Sequence, residues 1–200
     1  LPSLGEGWSL MAQADLPLGE ETLMGGAFGR GGIQRHGEVV LRPYRRGGLV
    51  RFMNKGIYPS PVRFAAEFAV HHALWQSGFP TVEPLGYGWR RRYWGYEGVF
   101  LTRFATCEPW PRHWHESLEV IPNLKRLLEA LCDWGLHAPD LNATNVMVRD
   151  GGEVLLLDWD RAAWDPTVRL IRYQSRLLRS LAKLGAPREI IAEIDRWQAP

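Results

Sequence analysis

The chain of 200 residues has few cysteines, few lysines and no long apolar run. Cys107 and Cys132 supply neither a disulfide framework nor a CxxC pair, which excludes a metal site built on thiolates. The longest aliphatic stretches, such as Val154 to Leu157, are far shorter than the ~18–20 residues a membrane-spanning helix needs. Leu1 to Leu18 lacks a basic start followed by an apolar core, so no secretory leader is expected. At 46% hydrophobic and 23% charged residues, the composition is that of a soluble globular chain with one core or two small lobes, not of a disordered one. A net charge of +2, with 22 acids interleaved among the bases and no recognition-helix motif, gives no reason to expect a nucleic-acid partner. Of 24 basic residues only Lys55, Lys125 and Lys183 are lysine. The rest are arginine, whose planar fork suits phosphate and carboxylate, although GC-rich codon usage gives the same bias.

Periodicity divides the chain. From Leu23 to Arg42, Gly25, Gly26, Gly29, Gly31 and Gly32 punctuate a segment ending in Val39, Val40 and Leu41, which predicts a hairpin with a glycine-rich tip. Pro61 opens a predicted helix through Gln76 that Gly78 stops, with Phe64, Phe68 and His71 or His72 at helical spacing. Pro84–Trp89 and Gly98–Thr102 read as strands joined by a charged turn at Arg90, Arg91 and Arg92. After a connector at Thr106–His115, Pro122–Trp134 aligns Leu124, Leu127, Leu128 and Leu131, and Gly135 ends it. Val146–Val148 and Val154–Leu157 follow as short strands, then Thr167–Leu184 and Pro187–Trp197 as amphipathic helices. The predicted fold class is α+β in two lobes: residues 1–104 form an antiparallel sheet with one helix, and residues 105–200 form a reduced helical lobe.

The chemistry concentrates in His137–Asp160, which reads HAPDLNATNVMVRDGGEVLLLDWD. Asp140 and Asn145 lie five apart in a loop after a helix, and Asp158 follows 18 residues after Asp140 at the end of a strand. A hairpin turned at Asp150, Gly151 and Gly152 returns Asp158 to the side of Asn145. A carboxylate and an amide so placed are hard oxygen ligands suited to Mg²⁺, and Asp140 is left to face an incoming hydroxyl. Taken singly, each residue also suits a surface turn; the joint pattern is what phosphoryl transfer requires. His71, His72, His113 and His115 lack the i, i+4 spacing with carboxylate support of a zinc helix and read as structural. Trp110 and Trp114 read as core, with a ligand-pocket lining as the alternative.

The D-x-x-x-x-N spacing followed by a strand and an Asp resembles the catalytic and metal-binding segments of the protein-kinase-like fold. Within that fold, DLNATN and LLLDWDRA resemble the Kdo kinases of lipopolysaccharide assembly, which phosphorylate 3-deoxy-D-manno-octulosonic acid (Kdo) on a lipid A precursor. Gly29-Arg30-Gly31, the basic run Leu41 to Leu49, Glu67-Phe68 and Arg176 to Leu181 are similar to segments of the same family, so the likeness extends from about Gly25 to Leu184. The resemblance implies that Asp140 takes or orients the sugar hydroxyl proton. It also implies that Asn145 and Asp158 hold Mg²⁺ on ATP, that Gly29, Arg30 and Gly31 cover the phosphates, and that Glu67 anchors a basic residue reaching them. That residue is Arg42 where protein kinases have lysine, with Lys55 as the alternative. His137 stands one place earlier than the kinase-loop histidine, and Asp160 replaces the glycine of the metal motif.

Arg169, Arg172, Arg176 and Arg179 form a stripe at helical spacing, and Arg45, Arg46 and Arg51 form a second basic group. Each reads either as a solvated face or as a contact to anionic glycolipid or headgroups. Arg45, Arg46, Asn142, Arg176 and Arg179 are the expected substrate contacts. The expected function is an ATP-dependent Kdo kinase of the lipopolysaccharide core, peripheral on the cytoplasmic face of a bacterial inner membrane, with a Kdo-lipid A type glycolipid as substrate and no obligate protein partner. The alternatives are a heptose kinase of the same core and a non-catalytic kinase-like binding module.

Overall fold

The computed structural model describes residues 4, 6–24, 32–44, 56–149 and 151–197. The chain divides into two compact units, Leu1–Ser77 with Val82–Phe104, and Gly78–Thr81 with Ala105–Pro200. The excursion at Gly78–Thr81 departs from the expected division at residue 104, and its hydrogen bonds give the reason. Leu156 N–H donates to the Pro80 carbonyl (3.0 Å), Thr81 Oγ1 donates to the Leu156 carbonyl (2.7 Å), and Trp159 Nε1 donates to Thr81 Oγ1 (3.1 Å).

The first unit holds strands β1 (Trp8–Ala12), β2 (Glu21–Met24), β3 (Ile33–His36) and β4 (Val39–Pro43), helix α1 (Val62–Gln76), and strands β5 (Pro84–Arg92) and β6 (Gly95–Arg103). The sheet order is β1-β5-β6-β4-β3-β2, and every neighbouring pair is antiparallel. The two-residue period of the strands sorts the core. Val39, Leu41, Leu85, Val99 and Leu101 gather in one cluster, whereas Phe100 joins Tyr44, Tyr58 and Phe64 in another, with Phe68 of α1 against it. The same alternation that turns Leu41 into the first cluster turns its neighbour Arg42 toward Phe100, its partner across the β4–β6 pairing. His71 is structural, as expected: its Nε2–H donates to the Val82 carbonyl (2.8 Å) and its ring stacks on Phe100.

Two expectations need correction in this unit. Leu23–Arg42 is two hairpins rather than one. β2 pairs with β3 from Glu21↔His36 to Met24↔Ile33, and β3 turns into β4 at Gly37, whose φ of 60° favours glycine. The expected tip with Gly29, Arg30 and Gly31 lies outside the described residues. Arg90, Arg91 and Arg92 are strand, not turn. They pair with Glu97, Tyr96 and Gly95, and the turn falls on Tyr93 and Trp94. Glu97 offsets the repulsion along this arginine row by pairing with Arg90 (2.8 Å) and Arg92 (3.0 Å).

The second unit contains β7 (Glu108–Pro109), α2 (Ser117–Asp133), β8 (Leu136–His137), β9 (Val146–Val148), β10 (Val154–Leu156), β11 (Ala163–Trp164), α3 (Leu170–Leu184) and α4 (Arg188–Asp195). Two small sheets run in the orders β10-β9-β7 and β11-β8. Helix α2 begins five residues before the proline expected to open it: 3₁₀ turns at Trp110–Arg112 and Trp114–Glu116 lead in, and Pro122 sits exposed inside the helix. Its buried stripe is Val120, Ile121, Leu124, Leu128 and Leu131. Trp110 is wholly buried and donates to Ser117 Oγ (3.2 Å), which makes it core. Helix α3 buries Leu170, Tyr173, Gln174, Leu177 and Leu181 and ends at the left-handed Gly185. Gln174 Nε2 donates to the carbonyls of Ile194 (2.8 Å) and Asp195 (3.1 Å), which ties down the end of α4.

Gly98 on β6 faces the Phe64 ring so closely that an added Cβ would overlap three ring atoms. The ring is fully buried among Tyr44, Tyr58 and Phe100 and has no room to yield. Gly98→Ala is therefore expected to destabilise the protein by about 1–3 kcal/mol, measured as a lowered urea midpoint.

Candidate active site

The loop after β8 is built on its own hydrogen bonds. Asn142 opens the 3₁₀ turn Ala143–Asn145 as its N-cap: Oδ1 accepts from Thr144 N–H (2.9 Å) and from Thr144 Oγ1 (2.6 Å). Its Nδ2 donates to the Asp140 carbonyl (2.9 Å), and the Nδ2 of Asn145 reaches the same oxygen (3.2 Å). Two side-chain amides thus fix the backbone of Asp140 while leaving its carboxylate unrestrained by the loop. Asn142, expected as a substrate contact, thus also holds this loop in shape.

The hairpin of β9 and β10 brings back the third residue. Val154↔Val148, Leu155↔Met147 and Leu156↔Val146 pair, and Leu157 N–H then donates to the Asn145 carbonyl (2.9 Å). That bond places Asp158 beside Asn145, with Asn145 Nδ2 to Asp158 Oδ2 at 3.4 Å. Asp158 (φ 71°) and Arg161 (φ 63°) are the only non-glycine residues with positive φ among the described residues. Residues with side chains rarely adopt this conformation. The Asp140 carboxylate, about one-third exposed, faces Arg161 Nη1 at 3.6 Å and Arg176 Nη2 at 4.0 Å. Arg161 is a site residue that sequence reasoning missed; its only signal was a charge three residues after Asp158.

The donor set fits a hard cation. Both bonds of the Asn145 amide are made through Nδ2, one of them to the Asp158 carboxylate, so Oδ1 is the atom that could ligate a cation. Among the described residues no group of three or more His, Cys, Asp or Glu side chains converges. One amide and one carboxylate form an incomplete shell, which suits Mg²⁺ because Mg²⁺ keeps waters and substrate phosphates among its ligands.

Behind the loop, Tyr173 of α3 clamps both ends of its entry. The phenol donates to the Leu136 carbonyl (2.5 Å) and accepts from Ala138 N–H (3.1 Å), and the ring lies edge-on to His137. Burial pushes the phenol well above the usual tyrosine range. His137 packs against this clamp. In the first unit, Arg42 forms an ion pair through Nη2 with Glu67 Oε1; the Glu67 side chain is 1% exposed. The structure thus brings together Arg42 with Glu67, and Asp140 with Asn145, Asp158 and Arg176. Arg179 lies one turn further along α3. Gly29, Arg30, Gly31, Arg45, Arg46 and Lys55 lie outside the described residues.

Comparison with known proteins adds the following. A sequence model of the lipopolysaccharide kinase (Kdo/WaaP) family matches residues 19–189. The chain is 30% identical over 172 residues to a 3-deoxy-D-manno-octulosonic acid kinase of Xylella fastidiosa, covering 78% of this chain and 66% of the relative. It is 32% identical over 173 residues to the protein of that name from Xanthomonas campestris pv. campestris, covering 80% and 70%. The chain thus spans about two-thirds of the length of the curated relatives it matches. Among solved structures, glucosamine kinase (crystal form B) superposes with a TM-score of 0.54 at 13% identity, covering 96% of this chain and 67% of that one. Crystal form A gives 0.53 at 14%, covering 97% and 65%. At that identity the likeness speaks to the fold alone, which is kinase-like.

Tyr173→Phe removes the partner of one buried carbonyl and one buried N–H, with an expected loss of about 1–3 kcal/mol of stability. In the wild type, the native state keeps a phenol proton that the unfolded chain gives up near pH 10. Stability from this group is therefore complete below that pH and declines above it. Urea unfolding of both proteins at pH 8 and pH 10.5 is expected to show a difference that narrows at the higher pH.

Proposed function

The chain belongs to the lipopolysaccharide kinase (Kdo/WaaP) family, and from that premise we propose that it transfers the γ-phosphoryl group of ATP to a hydroxyl of Kdo on a lipid A precursor. The observation that carries this reading is the meeting of Asp140, Asn145 and Asp158, with the Asp140 backbone fixed by two amides and its carboxylate open to solvent on one side. Asn145 Oδ1 and the Asp158 carboxylate are the residues to hold Mg²⁺, which when bound supplies positive charge to the transferring phosphates.

The acceptor hydroxyl faces Asp140. Its oxygen forms the new bond to phosphorus as the bond from phosphorus to the ADP oxygen breaks, and its proton passes to the Asp140 carboxylate. In a loose transition state this proton leaves late, so positioning and charge neutralisation matter more than base strength. Arg161 and Arg176 hold the Asp140 side chain in a cationic surround. Arg42 is the phosphate-binding cation, oriented by Glu67.

Peripheral attachment to the cytoplasmic face of an inner membrane is part of the same proposal. The β5–β6 turn supports it, because Tyr93 and Trp94 stand fully or almost fully exposed at its tip beside Arg90, Arg91 and Arg92, with Glu97 as the one acid opposite. Aromatic rings at a tip with net positive charge match the headgroup zone of an anionic bilayer. Among the described residues no helix is long and apolar enough to cross a membrane.

With ATP, Mg²⁺ and Kdo-lipid A, the wild type is expected to add the mass of one phosphate, and Asp140→Ala is expected to lose at least about a hundredfold in rate with unchanged circular dichroism. Undiminished turnover in that variant sinks the assignment, transfer to a heptose acceptor instead favours the heptose kinase, and no nucleotide binding or turnover identifies a binding module. Replacing Tyr93 and Trp94 together by Ala is expected to abolish co-sedimentation with vesicles containing phosphatidylglycerol while leaving kinase activity on a soluble Kdo glycoside unchanged.

A further inference from the structure

Beside the Asp140 loop the second unit has a cavity of about 390 Å³. His137, Ala138 and Pro139 form one wall, and Arg172, Arg176 and Arg179 of α3 project from the other. Neither Asn145 nor Asp158 lines it, and no carboxylate does. Arg172 is paired outside the lining, with Asp165 at 2.9 Å. Arg179 has no ion-pair partner among the described residues, and the Arg176 Nε–H is buried without an acceptor. A buried donor left in that state calls for a ligand that supplies the missing acceptor.

We infer that this cavity is the acceptor's anion subsite, which takes the carboxylate of the sugar acid whose hydroxyl is phosphorylated. The inference rests on the kinase reading above and specifies its substrate contact. Both a carboxylate and a phosphomonoester satisfy guanidinium forks. The position of Arg176 favours the carboxylate, because this one residue lines the cavity and lies 4.0 Å from Asp140. An anion on Arg176 therefore belongs to the same sugar as the hydroxyl facing Asp140, whereas the phosphates of a lipid A precursor lie on a different residue of the glycolipid. A carboxylate locked here fixes which hydroxyl of the ring meets Asp140, so the subsite sets regiochemistry as well as affinity.

Three measurements test this. Arg179 is exposed, so Arg179→Ala is not expected to impair folding. With a soluble Kdo glycoside it is expected to raise the acceptor KM about tenfold or more while the ATP KM and kcat stay within about twofold; Arg179→Lys is expected to recover part of the loss, keeping the charge without the fork. A carboxyl-reduced Kdo glycoside is expected to be a poor acceptor for the wild type and no worse for the Arg179→Ala variant. Calorimetric titration of the Kdo glycoside in the absence of nucleotide reads the subsite independently of turnover. Binding that depends on Arg179 without any phosphoryl transfer retains the subsite and overturns the kinase reading. Transfer with an acceptor KM indifferent to Arg179 and to the carboxylate overturns the subsite alone. A dependence on Arg179 that disappears when the lipid phosphates are removed, but persists when the carboxylate is reduced, overturns the choice of carboxylate.

Discussion

The site depends on one hydrogen-bonded knot. The Asp140 carbonyl accepts from the amides of Asn142 and Asn145, and the Asn145 amide also reaches Asp158. Because these bonds engage the backbone of Asp140, its carboxylate is positioned without being consumed as an acceptor. On the role proposed for Asp140, a loop whose reactive group also served as its structural anchor would lose its shape whenever that group changed protonation state. Here the two tasks fall to different atoms of one residue. Tyr173 extends the arrangement into the core by bonding both Leu136 and Ala138, so α3 and the loop cannot shift independently.

Charge around the knot follows a similar division. Asn145 and Asp158 present oxygen to one side, where a cation fits, whereas Arg176 and Arg161 lie against the Asp140 carboxylate. Arg172 and Arg179 continue the positive character along α3. In the reaction proposed above, the two partners, a nucleotide and an acidic sugar, both carry negative charge. On that reading, a cation held by Asn145 and Asp158 would serve the nucleotide and the arginines of α3 the acceptor. The apolar stripe of α3 makes this possible: Leu170, Tyr173, Leu177 and Leu181 bury one face and leave the arginines on the other.

Much of this was legible in the sequence because it is written in short-range spacing. The five-residue step from Asp140 to Asn145 and the β9–β10 hairpin that returns Asp158 are local, and local geometry follows from periodicity and turn residues. What escaped was non-local or conformational. Strand β1 is mostly exposed and alternates weakly, so only its pairing with β5 reveals it. The arginines of β5 read as a turn because their repulsion is visible in sequence, whereas their relief by Glu97 across the hairpin is not. Helix α2 starts before Pro122 because burial of Ser117, Val120 and Ile121 outweighs the hydrogen bond lost at the proline. Tyr173 drew no notice in the sequence because its two hydrogen-bond partners lie 35 and 37 residues away, and Arg161 needed a positive φ that no spacing rule predicts.

Arg42 shows how a departure from pattern is accommodated. Protein kinases place a lysine at the corresponding strand position, and an ammonium there is a strongly hydrated point charge on a flexible stem. In this chain Glu67 is almost entirely buried, and the Arg42 head lies between it and the rings of Phe100 and Tyr44, 5.6 and 5.7 Å from the guanidinium carbon. A guanidinium is less strongly hydrated and can face an aromatic ring while donating in its own plane, so it tolerates this surround better than an ammonium would. The aromatic cluster on the helix side of the sheet and the arginine at its edge are therefore one adaptation: the rings supply a surface on which a planar cation rests, and the buried carboxylate holds it in place.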